Sequence, residues 1–168
     1  MTSTKTIAFL GLMLAMVLVL SMLEHMIPPI PLLPPNIKLG LSNIITMYCF
    51  FFVGRKYALF LAILKSVFVF LIRGAIAGAL SLTGGVLSIL VIAFLVFLFN
   101  SKISYTLVSI AGAIAHNLGQ IIIASFILGS DLVFIYTPVL LVSGVIMGSI
   151  TGTLLKVVMP VFKNIIRL

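Results

Sequence analysis

Apolar residues run through this chain in long stretches, broken at intervals by proline, glycine or cations. A helix needs about 20 apolar residues to cross the hydrocarbon core of a bilayer, and the stretches recur at a spacing that predicts six crossings. The first runs from about Thr6 to Ile27 and stops at Pro28, ahead of the segment P-P-I-P-L-L-P-P-N that ends at Asn36. Five of those nine residues are proline, which fixes φ and withholds amide donors, so this loop should be stiff and extended. The second crossing covers about Leu39 to Gly54, and the third about Tyr57 to Ile72, with Arg73 at its outer end. Residues 74–85, G-A-I-A-G-A-L-S-L-T-G-G, are ambiguous: they either extend a helix or re-enter the membrane. Irregular backbone at that depth survives only when it is buried in protein or lines a wet cavity. The fourth crossing covers about Val86 to Phe99, or begins earlier, and the fifth about Thr106 to Leu128. A turn at Gly129-Ser130-Asp131 precedes the sixth, which ends near Val158.

This pattern leaves no room for a separate soluble unit. At 168 residues, 63% hydrophobic and with a mean hydropathy of +1.45, the chain is expected to be a single all-α integral membrane domain of six transmembrane helices. Charge then orients it. The ten cations and two acids give a net charge of +8, which in a soluble protein would point to nucleic acid. Here Lys5, Arg55 with Lys56, Lys102, and Lys156 with Lys163 and Arg167 each follow an even number of crossings. The positive-inside rule therefore places them, and both termini, on the cytoplasmic side of the cell membrane. Topology and anionic lipid account for these cations, and no nucleic-acid partner is expected.

Composition also excludes chemistries. The first stretch is long for a signal-peptide core and no small-x-small cleavage site follows it, so it reads as a retained helix. Cys49 is the only cysteine, which rules out an internal disulfide and a cysteine-held cluster. Two acidic residues cannot furnish paired-carboxylate or two-metal catalysis, and no phosphate-binding G-x-x-x-x-G-K-[ST] loop occurs. Neither catalytic residues nor a resident cofactor or metal site is expected.

What remains are small-residue faces and a few polar groups. Gly144, Gly148 and Gly152 on the sixth helix, and Ala111, Ala115 and Gly119 on the fifth, are small-xxx-small stripes that read as bundle packing. Ala8, Gly11 and Ala15 share a face of the first helix, suited either to internal packing or to docking of a partner membrane subunit. Polar groups in an apolar bundle are expensive unless paired or wet, so function is sought among them. His116 and Gln120 lie four apart on one face with Asn117 beside them, as interhelical glue or as ligand contacts. Lys65, close to mid-membrane, must pair, snorkel or lose its proton. Glu24 sits at a different depth, which makes Lys65 a candidate for an anionic ligand group. Lys38 and Arg73 are explained equally by solvation near the outer surface. Glu24 and His25 either pair with such cations or join them, and Asn43 lies about a turn below Lys38. Together these residues outline a net-basic pocket in the outer half, under the proline loop, for a small anionic or strongly polar molecule.

Four runs carry a resemblance. P-N-I-K-L-G-L-S-N (35–43), L-S-L-T-G-G-V-L-S (80–88), A-G-A-I-A-H-N-L-G-Q (111–120) and Y-T-P-V-L-L-V-S-G (136–144) resemble the Gx transporter family, also labelled heptaprenyl diphosphate synthase component I. That family is similar to the substrate-binding (S) components of energy-coupling-factor vitamin transporters. The resemblance implies a six-helix bundle with an outer pocket, a first-loop lid, and docking on a transmembrane coupling subunit driven by ATPase subunits. By the same resemblance, Lys38 and Asn43 would line the pocket with His116, Asn117 and Gln120, and the Ala8–Gly11–Ala15 face would dock the partner. With a single aspartate, the chain lacks the aspartate-rich motifs of a prenyl synthase. The leading expectation is thus a capture protein for a vitamin-like or isoprenoid-like small molecule. The alternatives are a membrane subunit of a quinone- or flavin-linked electron-transfer system, or a non-catalytic membrane partner of an isoprenoid synthase.

Overall fold

In the computed structural model, residues 3–26, 41–99, 103–129, 135 and 137–166 are described, and every regular element among them is helical. The elements are α1 (Ser3–Met26), α2 (Leu41–Phe52), α3 (Arg55–Arg73), α4 (Ala75–Leu98), α5 (Tyr105–Leu128) and α6 (Thr137–Ile166). Consecutive helices pack side by side, most extensively α3–α4–α5–α6, and α2 closes the ring by also touching α6. Four helices among the described residues are long and apolar enough to cross a membrane, over Thr6–Glu24, Ala75–Leu98, Tyr105–Ile127 and Thr137–Val157. The other two differ: α2 has 12 residues, about 18 Å at 1.5 Å per residue, and α3 carries Arg55, Lys56, Lys65 and Arg73.

The exterior is apolar and much of the interior is polar. Leu71, Phe97 and Phe126 are more than 70% exposed, whereas Ser21, Glu24, Ser42, Lys65, Ser81, Ser109 and Thr151 are buried. Water would penalise such a surface, and lipid tails would solvate it, so the protein is membrane-embedded. Apolar packing concentrates at the end of the bundle where α2 finishes and α5 begins. Tyr48 stacks on Phe52 with ring centroids 4.6 Å apart, and Phe51 meets Tyr105 edge-on at 5.0 Å.

Residues 74–85 form no re-entrant loop. Gly74 alone interrupts the chain, at φ +88°, where an L side chain would be strained, and α4 begins at Ala75 rather than near Val86. The small residues of this segment are explained by close helix approach. A Cβ on Gly78 would fall 2.9 Å from the Phe70 Cα, and one on Gly84 would fall 2.9 Å from both the ring and the carbonyl of His116.

The glycine stripe of α6, and Ala115 and Gly119 of the stripe on α5, serve packing as expected. A Cβ at Gly148 would lie 2.5 Å from the Ile110 Cα, one at Gly152 2.6 Å from the Thr106 Cα, and one at Gly119 2.9 Å from the Thr83 carbonyl. Thus α6 presses its glycines on α5, while α5 presses Gly119 on α4. The face on α1 behaves differently. Ala8, Gly11 and Ala15 are exposed, and nothing lies within 4 Å of a Cβ placed on Gly11, so the internal-packing reading does not hold for this face.

A paired substitution tests these assignments. Gly148→Ala should destabilise the bundle by about 1–3 kcal/mol through overpacking, whereas Gly11→Ala should leave stability unchanged or raise it by up to about 1 kcal/mol. Thermal unfolding in detergent would read both, and equal effects would refute the assignment.

Candidate functional site

The centre of the site is Lys65, midway along α3 and only 7% exposed. A buried ammonium requires acceptors, and two come from the first turn of α2. Lys65 Nζ donates to Ser42 Oγ at 2.6 Å and to Asn43 Oδ1 at 3.3 Å. Glu24, near the end of α1 and also 7% exposed, accepts the Ser42 backbone N–H on Oε1 at 3.3 Å. Ser42 therefore stands between the carboxylate and the ammonium, which are close enough to attract one another. The depth mismatch expected between Glu24 and Lys65 is overturned, because α2 presents its first turn between α1 and α3. An ammonium has three donors, so Lys65, with two acceptors among the described residues, retains capacity for one more.

Across from this group lies α5. The Gln120 side-chain amide nitrogen and Nε2 of His116 are hydrogen-bonded at 3.1 Å. Gly84 makes room for that ring against α4. Asn117 donates through Nδ2 to the Leu140 carbonyl of α6 at 2.7 Å, so part of its role is interhelical glue. The space between the two groups is a cavity of about 60 Å³, room for roughly four to six waters or a small organic molecule at 10–15 Å³ per water.

Six of the residues singled out by sequence meet at this cavity: Glu24, Asn43, Lys65, His116, Asn117 and Gln120. Arg73 does not. It ends α3, is exposed, and lies outside the lining, because α3 places it eight residues beyond Lys65 at the helix terminus. Lys38 and the proline loop lie outside the described residues, as does the side chain of His25. Among the described residues, no three His, Cys, Asp or Glu side chains gather to hold a metal ion.

Sequence reasoning missed the hydroxyls. Ser42, Ser81, Ser88, Ser109, Ser143 and Thr151 all line the cavity, so α4 and α6 contribute polar walls although neither was assigned a site residue. A signal was present in the helical spacing. Ser81 and Ser88, like Ser109 and His116, are seven apart and so share a helix face.

A family model described as heptaprenyl diphosphate synthase component I matches residues 13–158, nearly the whole bundle and every helix that lines the cavity. The chain belongs to that family. No curated protein and no solved structure matches the chain.

Removing either charged member of the buried Glu24–Ser42–Lys65 group leaves the opposite charge uncompensated. Lys65→Met should destabilise the protein by about 3–5 kcal/mol. The double variant Glu24→Gln/Lys65→Met should be less affected than the sum of its singles, with a coupling of about 1–3 kcal/mol. Strict additivity in thermal unfolding would rule out the coupling.

Proposed function

We propose that this member of the heptaprenyl diphosphate synthase component I family is a substrate-capturing membrane protein of the S-component type. It has six transmembrane helices and both termini in the cytoplasm. It binds a small anionic or strongly polar molecule in the cavity between Lys65 and the His116–Gln120 pair, for uptake driven by partner subunits. The observation that carries this reading is the convergence of polar side chains from all six helices on one internal cavity, in a bundle otherwise built to face lipid. Structural glue alone needs pairs, not a shared space. Lys65 supplies a charge-assisted donor for an anion, and Asn43, Gln120 and the hydroxyls supply neutral hydrogen bonds that orient it.

The energising partners follow the resemblance to energy-coupling-factor S components. They would comprise a transmembrane coupling subunit and ATPase subunits, since the chain has no nucleotide-binding motif of its own. The exposed Ala8–Gly11–Ala15 face favours this reading, because a small-residue face lets another helix approach closely. Conversion of the bound molecule forms no part of the proposal: the cavity offers donors and acceptors for binding.

Mass spectrometry of small molecules released on denaturing the detergent-purified protein should find one compound at near-stoichiometric amount. His116→Ala should reduce its recovery several-fold while the protein still unfolds cooperatively. Release of lipid alone would refute capture. For topology, a fluorescent protein fused after Leu168 should mature and alkaline phosphatase fused there should stay inactive. The reverse pattern would invert the orientation.

A further inference from the structure

Membrane-buried serines and threonines usually return their hydroxyl to a carbonyl one turn back in their own helix. This chain follows that habit repeatedly. Ser66 donates to the Ala62 carbonyl, Thr83 to Ala79, Ser143 to Leu140, Ser149 to Val145 and Thr153 to Ser149, at 2.7–2.9 Å. Ser109, in the second turn of α5, departs from it. It is 2% exposed and lines the cavity, and among the described residues its Oγ has no hydrogen-bond partner. It packs on α6 through both backbone and side chain: a Cβ on Gly148 would lie 3.0 Å from the Ser109 carbonyl and one on Gly152 3.1 Å from the Ser109 Cβ. A buried hydroxyl without a partner is unfavourable, and a turn of the side chain from its closed-in position toward the cavity that Ser109 lines would give it one when a molecule enters.

The position of Ser109 matters as much as its state. From Gln120 to Ser109 the α5 wall runs three helical turns, about 16 Å. On α6 the lining extends equally far, from Leu140 to Thr151. Between the two polar ends the walls include Met47, Phe50, Ile89, Ile92 and Met147. A cavity of about 60 Å³ drawn out over that length is a narrow slot, charged at one end, mostly apolar in the middle apart from Thr46 and Ser88, and hydroxylated at the floor.

We propose that Ser109 is the floor of the binding site. The molecule captured there is then a slender organic anion with a second hydrogen-bonding group at the end opposite its charge. The anionic group takes the third donor of Lys65, the apolar walls hold the body, and Ser109 Oγ bonds the distal group. This inference rests on the capture reading and specifies its substrate class.

Two probes that differ only in the distal group separate the claims: octanoate and 8-hydroxyoctanoate, titrated calorimetrically into the full-length protein in nanodiscs. Wild type should bind 8-hydroxyoctanoate about fivefold to tenfold more tightly than octanoate. Ser109→Ala should abolish that difference, with cooperative thermal unfolding in detergent retained as the report of an intact fold. Should Ser109→Ala fail to fold, the near-isosteric Ser109→Cys should reduce the preference. Lys65→Met, carried with Glu24→Gln to avoid an uncompensated carboxylate, should weaken both probes about tenfold or more. Lys65-dependent binding with no preference for the hydroxyl, or with a preference that survives at Ser109→Ala, would overturn the floor and leave capture standing. Failure of both probes to bind, or binding indifferent to Lys65, would overturn both.

Discussion

One buried cation organises this protein. In an apolar bundle the ammonium of Lys65 cannot remain without acceptors, and α3 offers none of its own at that level. The first turn of α2 provides them through Ser42 and Asn43, and the end of α1 supplies the counter-charge through Glu24, held on the Ser42 amide. Three helices are thereby drawn to one point. The lighter packing of α1 and α2 against the bundle makes this polar tie the more important for their placement. The same residues that satisfy the cation also form one wall of the cavity, so stability and site are hard to separate on this side.

The opposite wall obeys a different rule. Helices α4, α5 and α6 approach so closely at Gly84, Gly119, Gly148 and Gly152 that added carbons would overlap backbone. Without a hydrophobic effect to drive association in lipid, such contacts depend on van der Waals packing at short range. This rigid slab carries His116, Asn117, Gln120 and Ser109. A polar tie on one side and a glycine-packed slab on the other leave a gap between them, and the gap is the cavity.

That division suits capture. Groups on the slab are fixed by backbone packing and can orient a ligand without rearranging. The Lys65 cluster is held by hydrogen bonds, which a bound anion can share or exchange. Among the described residues the cavity lining is rich in donors, acceptors and hydroxyls, with Glu24 as its carboxylate.

The amino-acid pattern alone determined the membrane class, the helical content, the approximate position of six helices and most of the polar groups that meet in the cavity. It could do so because bilayer thickness sets a length and because polar residues are rare enough in lipid to stand out. The small-residue stripes of α5 and α6 were legible for a similar reason. Tertiary structure decided what a single helix cannot carry. It made residues 74–85 helical, since the bulk of Phe70 and His116 on neighbouring helices explains their small side chains. Helix offset brought Glu24 to Lys65 through Ser42, whereas each helix read singly assigned them different depths. It set Arg73 apart from the cavity, and it left the Ser109 hydroxyl buried without a partner among the described residues. Serine is common in membrane helices and normally satisfied by its own backbone, so only the packed structure could show that Ser109 is not.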